Sequence, residues 1–312
     1  MSLVVCKLPK AGLGNQLFPL MSAFVFANLN GLEVIVVGYH QLKLGPYLRN
    51  EKSKRRYSGY FNFQKNIVGE YLDILKVLAF KKRYNVVYDP SVAKLAGKKP
   101  EHTVFIFGKL PNWRDYYRDL RDHRAMVLEL LYPLLNPWII KEVENATAPV
   151  IGMHIRMGDF RKLKEGEAFK GGPVRTPESY FVDLIQQARA IYGQALPVSL
   201  FTDGHKHEFK ELFELENINL IEGNADIVDM LLLSRSKIIL SSSGSTFSNW
   251  AGFIADAPFI RHPDHIHNFF RPSAINALYY EGAMVKGKID PLLKKNILDI
   301  QVNENPKEVN YV

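Results

Sequence analysis

Four short stretches of this chain concentrate residues that can hold an anion or move a proton. The first is His154-Ile155-Arg156-Met157-Gly158-Asp159. It follows an apolar run, and in an extended strand His154 and Arg156 point to one face. Arginine presents a planar fork of donors that stays charged at any working pH, which suits a diphosphate. Asp159 can orient that fork or meet a sugar hydroxyl. An ordinary Arg–Asp pair closing a loop, with His154 as a satisfied core histidine, fits the same residues.

The second stretch is Gly12-Leu13-Gly14-Asn15-Gln16. Glycines between a strand and a helix let the backbone approach a ligand, and a helix start offers free N–H groups. The spacing matches neither the dinucleotide fingerprint nor the phosphate loop with Lys-Ser/Thr, so a purely structural turn stays open. The third is Ser241-Ser242-Ser243-Gly244-Ser245-Thr246-Phe247-Ser248, where hydroxyls and N–H groups gather before a helix. It suits a phosphate or a nucleoside; the plainer alternative is a helix capped by Ser245 or Thr246. The fourth is Phe201-Thr202-Asp203-Gly204, followed by His205 and His207. Asp203 can accept from a base or ribose, or simply close a turn. Neither that histidine pair nor the group His262, Asp264, His265 and His267 has the spacing of a helical metal motif, so no metal is expected.

These clusters need elements to position them, and the hydrophobic pattern supplies alternating strands and helices. Strands are expected at 3–8, 32–37, 104–107, 150–155, 197–201 and 237–240. Helices are expected at 17–29, 70–82, 116–131, 178–192, 226–235 and 246–255, the first starting near Leu17 so that Pro19 falls in its first turn. Thr176-Pro177-Glu178 reads as a cap followed by a proline at the first helical position. Such β/α alternation places ligands beyond the carboxyl ends of strands, where the polar clusters fall. The basic stretch Glu51-Lys52-Ser53-Lys54-Arg55-Arg56 is expected as a solvated loop or an arm over a cleft, and the Gly171-Gly172 pair as part of a long polar loop.

Length and composition agree. The chain has 312 residues, 47% of them hydrophobic and 23% charged, enough for two α/β domains and unlike a disordered segment. A formal net charge of +8 favours phosphate-bearing partners. The lone Cys6 cannot build a disulfide frame or a thiolate metal cage and is expected as buried filler. No apolar run reaches the roughly 18–20 residues that cross a bilayer, and no signal peptide stands out. The expected setting is cytoplasmic, with peripheral membrane contact open. Nucleic acid is not an expected partner, because the basic runs lack interleaved aromatics for base stacking.

Taken in order, the motifs resemble the α1,2-fucosyltransferase family, itself related to the α1,6- and protein O-fucosyltransferases. Gly12-Leu13-Gly14-Asn15-Gln16-Leu17-Phe18 is similar to the family's Gly-Leu-Gly-Asn-Gln-Met/Leu-Phe opening. His154 to Phe160 is similar to its His-Ile/Val-Arg-Arg-Gly-Asp-Tyr, and Phe201-Thr202-Asp203-Gly204 to its Phe-Ser-Asp-Asp. The segments from Asp229 to Ser234 and from Ser241 to Trp250 resemble its later motifs. Three places depart: Met157 stands for the family's second arginine, Gly204 for an acid, and Asn249-Trp250 where two aromatics are common.

The resemblance implies an α/β fold of GT-B type, with two Rossmann-like domains facing across a cleft. Domains are expected at 1–145 on the acceptor side and 146–275 for the nucleotide sugar. A C-terminal segment, 276–312, is expected to pack back on the first domain. The implied activity is inverting transfer of L-fucose from GDP-fucose to a hydroxyl of an oligosaccharide or glycolipid, with no cofactor or metal required. The implied donor-binding residues are Gly14, Asn15, His154, Arg156, Asp203, Ser245, Thr246, Phe247 and Ser248. Arg156 would hold the β-phosphate, and Arg156, Asp159 and Asn15 are the candidate catalytic residues. Alternatives are another GDP-sugar as donor, or a non-catalytic sugar-nucleotide or glycan-binding protein.

Overall fold

The computed structural model describes every residue except 1, 42, 49–50, 52–53, 98–100, 171 and 302–312. Lys52 and Ser53 of the basic stretch, Gly171 of the glycine pair and the end of the 276–312 segment therefore lie outside the described residues. The chain forms two compact units, one of Met1–Ile140 with His267–Pro272, the other of Lys141–Ile266 with the residues from Ser273 onward.

The first unit contains β1 (Leu3–Lys7), α1 (Leu13–Asn30), β2 (Glu33–Val37), α2 (Gly45–Leu48), α3 (Ile67–Arg83), β3 (Asn85–Tyr88), β4 (Thr103–Phe107) and α4 (Arg124–Leu134). Helix α5 (Pro137–Asn145) carries the chain into the second unit. The first sheet is parallel throughout, in the order β2-β1-β4-β3. Leu3, Val5, Val104 and Ile106 form its core with Val77 of α3. Helix α1 is buried on nearly every face, as its apolar sequence requires.

Two local expectations are corrected in this unit. Helix α1 begins at Leu13, not near Leu17, so Pro19 lies inside the helix and cannot donate to the Asn15 carbonyl. Burial of α1 against the sheet outweighs that missing bond, and Asn15 and Gln16 sit in the helix's first turn. The basic stretch is not wholly solvated: Glu51 is buried and its carboxylate pairs with Arg55 at 2.7 Å.

The second unit contains β5 (Ile151–Ile155), α6 (Glu178–Tyr192), β6 (Val198–Thr202), β7 (Ile218–Leu220), α7 (Asp226–Ser234), β8 (Ile238–Ser241), α8 (Thr246–Ile254), β9 (Phe259–Ile260), α9 (Ser273–Asn276), β10 (Glu281–Gly282) and α10 (Pro291–Leu298). Its sheet is parallel, in the order β10-β9-β8-β5-β6-β7. The chain winds outward from β5 to β7, then returns to β8 and winds out the other way. The reversal between β5 and β8 is a topological switch point, the usual ligand position in open α/β sheets.

The described part of the C-terminal segment, expected against the first unit, belongs to the second. Helix α10 lies on α6. Leu293 and Ile297, one helical turn apart, present one apolar stripe, and with Ile300 they join Phe181, Leu184 and Ile185 of α6 in the second core. The helix start at 178 also differs in detail. The Thr176 hydroxyl accepts from Ser243 N at 3.0 Å and does not cap α6.

Candidate active site

Strand β5 is central in its sheet, with β6 and β8 as neighbours, so the residues that follow these three strands lie side by side. Their backbone is tied together first. Ser242, just past β8, donates its hydroxyl to the His154 carbonyl at 3.0 Å and accepts from Arg156 N at 2.8 Å. Asp203, just past β6, accepts from Met157 N at 2.7 Å and from Gly158 N at 3.1 Å through one carboxylate oxygen. The turn after β5 is thus clamped from both flanking strands.

The clamped turn presents Arg156. Its guanidinium pairs with Asp203 at 2.5 Å through one terminal nitrogen and with Asp159 at 2.6 Å through the other. Its charged carbon stands 5.8 Å from the Phe160 ring centroid. The two carboxylates differ: Asp203 is 11% exposed, Asp159 38%. Asp203 is therefore first a positioning residue for Arg156 and the turn.

His154, on β5 two residues before the arginine, is buried. Its Nδ1 is 3.2 Å from Ser248 Oγ and 3.4 Å from Ser245 Oγ, and its ring stacks on Phe247 at 4.6 Å. Burial drives its pKa down to about 3; Asp203 acts against that shift and Arg156 with it. The imidazole is neutral at any working pH, and it acts as a hydrogen-bonding spacer between β5 and α8.

Ser245 caps α8, as one of the two expected alternatives, and its hydroxyl accepts from Ser248 N. Thr246 and Phe247 are half-buried in the helix's first turn. Gly244 adopts φ +68°, the left-handed conformation that lets the loop turn into the helix. Ser243 is bound on one side by Thr176 and on the other by the His265 ring, which also accepts from Gly172 N at 3.4 Å. The structure thus brings together His154, Arg156, Asp159, Asp203, Ser245, Thr246, Phe247 and Ser248.

Gly14 and Asn15 belong to the first unit. There Leu13 N donates to Tyr57 Oη at 2.9 Å, Lys43 Nζ lies 3.9 Å over the Tyr57 ring, and the Gln16 amide donates to Pro9 O at 2.9 Å. Asn15 is half-buried. Tyr57 escaped sequence reasoning because nothing local marks a tyrosine that will meet a helix start 44 residues away.

The histidine group at 262–267 disperses. His262 packs on Tyr180 and Phe169, His265 bonds Ser243, and His267 meets Trp113 in the first unit. His205 and His207 stack on each other at 5.6 Å, and His205 closes a capping box with Glu208. Among the described residues, no group of three His, Cys, Asp or Glu side chains is placed to hold a metal ion.

Beside Met157 lies a cavity of about 190 Å³ lined by Ile155, Met157, Lys162, Arg175, Glu178 and Phe209, among others. Arg175, which the motifs did not single out, pairs with Glu208 at 2.8 Å and donates to Phe160 O at 3.0 Å. Burial alone would raise the Glu208 carboxyl, but the His205 N–H and Arg175 outweigh it and hold its pKa below the ordinary value. Arg161 is held by Glu167 in a two-point ion pair.

No family model matches the chain. Among curated proteins it is similar to an α1,2-colitosyltransferase of Escherichia coli, 26% identical over 270 residues, covering 80% of this chain and 88% of that protein. Among solved structures it is similar to the NodZ α1,6-fucosyltransferase co-crystallised with GDP, at 15% identity and a TM-score of 0.52, covering 84% of this chain and 95% of that one. A second structure, of the fucosyltransferase NodZ from Bradyrhizobium, matches at 15% identity and a TM-score of 0.51 over 85% of this chain and 97% of that one. These structures share the fold, two parallel α/β sheets with helices, and the curated relative shares sequence over most of both chains. In its ordered motifs, in sequence and in fold, the chain is similar to these sugar transferases.

Proposed function

We propose that the chain is an inverting transferase of GT-B type that moves a deoxy sugar from its GDP conjugate to a glycan hydroxyl. L-fucose and colitose are the two candidate sugars, the first from motif order and the second from the curated relative. The observation that carries this reading is Arg156 at the switch point, presented on a turn clamped from both sides and beside the start of α8.

In the proposed reaction the acceptor oxygen attacks the sugar's anomeric carbon as the carbon–oxygen bond to the β-phosphate breaks. The electron pair leaves with the diphosphate, and the acceptor hydroxyl gives up its proton. Arg156 and the N–H groups at the start of α8 stabilise the charge that develops on the leaving group, without a required metal. A diphosphate reaches the guanidinium by displacing Asp159, the more exposed partner, while Asp203 keeps the fork in place. Asp159, once displaced, is the candidate base. His154 is not proposed for that task, because its ring is buried against Ser245, Ser248 and Phe247, whereas Asp159 is exposed. Asn15 is proposed to polarise the acceptor hydroxyl, and the first unit to carry the acceptor. An α1,2 linkage is proposed on the resemblance and on the relative's name.

The test is calorimetric titration and turnover with a panel of GDP-sugars in EDTA, with Arg156→Ala as control. Binding of GDP-fucose or GDP-colitose that the variant loses, with GDP released, supports the reading. Preference for a different GDP-sugar keeps the fold and changes the activity. Well-folded protein that binds no nucleotide sugar sinks it and favours a glycan-binding role.

A further inference from the structure

Helix α3 is apolar on both sides, and only one side is covered. Inward, Val77 joins the first core, with Ile74 and Phe80 packed against it. Outward, Ile67, Val68, Tyr71, Leu72, Leu75 and Leu78 are each between 52% and 66% exposed. Positions 68, 71, 72, 75 and 78 recur at helical spacing, so they form one stripe along a helix of 17 residues, about 25 Å long. Scattered exposed leucines need no explanation, but a continuous apolar stripe on a surface helix marks an interaction site.

The charges around the stripe are of one sign. Lys76, Lys82 and Arg83 are exposed, and Lys81 stands 5.3 Å over the exposed ring of Tyr88. The helix has two acids, and both are engaged elsewhere. Glu70 is buried and accepts from Tyr39 N at 3.0 Å and His40 N at 3.2 Å; Asp73 pairs with Lys65 at 2.7 Å. The face therefore offers apolar side chains and cations, with no carboxylate of α3 left for another protein's cations.

We propose that the outward face of α3 docks on an anionic bilayer surface, its stripe entering the headgroup boundary and its cations meeting lipid phosphates. The arrangement is that of an interfacial helix, apolar face to the lipid and Lys/Arg at the rim. A second copy of the chain fits less well, because it would bring the same cations to the seam with no carboxylate on α3 to meet them. The surface lies in the first unit and uses no residue of the candidate active site. It therefore stands or falls separately from the donor reading.

The test is co-sedimentation of the full chain with phosphatidylcholine vesicles, with and without phosphatidylglycerol. Binding is expected with phosphatidylglycerol and is expected to fall steeply with salt. Lys82→Glu/Arg83→Glu should weaken it by about fivefold or more for each cation lost. Leu72→Glu/Leu75→Glu should abolish it, while the thermal melt of both variants and their GDP-sugar hydrolysis stay unchanged. Wild-type protein that ignores phosphatidylglycerol vesicles, or variants that bind as well as wild type, overturns the proposal. So does a dimer in sedimentation velocity that Leu72→Glu/Leu75→Glu dissolves, which would assign the face to a second copy.

Discussion

Met157 rests directly against Gly204: a Cβ at position 204 would stand 2.7 Å from Met157 Cγ and 3.0 Å from Met157 Cβ. Both positions depart from the pattern that the chain otherwise resembles, an arginine at the first and an acid at the second. The two departures meet in space, and an apolar contact occupies a place where opposite charges would be neighbours. Gly204→Asp alone should overpack the site and cost about 1–3 kcal/mol of stability. Combined with Met157→Arg, the loss should be smaller than the sum of the single losses by at least about 1 kcal/mol. Urea unfolding of the four proteins measures this coupling; strict additivity would show that the two positions are independent.

Arg156→Ala should lower turnover by about 10²- to 10³-fold, the usual scale for a lost donor at a developing oxyanion. Arg156→Lys should restore little of it. A single ammonium cannot hold Asp203 and present a second face to a diphosphate as the forked guanidinium does. Asp203 keeps the Met157 and Gly158 N–H groups in either variant, so both should fold. Steady-state rates on the preferred GDP-sugar, alongside melting curves, check this. Wild-type rates in the alanine variant would remove Arg156 from the mechanism, and wild-type rates in the lysine variant would show that a single cation suffices there.

His154 sets a pH dependence of stability. Its ordinary value is 6.5, and burial holds it near 3 in the folded protein. Between these values the unfolded chain binds a proton that the folded chain refuses. The contribution is therefore intact above about pH 6.5 and is lost as pH falls toward 3, at no more than about 1.4 kcal/mol per unit. His154→Gln should flatten the profile in that window. Denaturant midpoints from pH 7 down to 4 read it directly, and parallel profiles for the two proteins would show that other groups dominate.

Ser242→Ala should destabilise the turn after β5. Its hydroxyl is the acceptor for Arg156 N, and an unsatisfied buried N–H costs about 1–3 kcal/mol. Because the same bond aims Arg156, donor affinity should fall with stability. Calorimetry at a temperature where the variant is fully folded separates the two effects. Unchanged affinity there would mean that Asp203 alone positions the arginine.

Much of the second unit could be read from letters alone. Its strands are short apolar runs that end in polar clusters, and β-then-α order demands a parallel sheet with loops gathered at one edge. The capping role of Ser245 was among the local alternatives because a cap depends only on residues within one turn. The first unit was less legible. Pro19 normally marks a first turn and so points to a start of α1 near Leu17, and only burial on nearly all sides shows that the helix tolerates it deeper inside. The apolar stripe of the C-terminal helix states that the helix must be covered, not by what, and it is the second core that covers it.

By itself, then, the sequence determined the elements, their order and the set of polar clusters at strand ends, since period and capping are local properties of the chain. The tertiary structure alone decided the pairings. Arg156 meets Asp203, Ser243 meets His265 and Thr176, Leu13 meets Tyr57, and Met157 fills the space that Gly204 leaves. Each joins residues far apart in the chain, whose proximity depends on strand order and on which helix covers which face. No local preference encodes that, because it is the packing of the whole unit that selects one arrangement among many with the same elements.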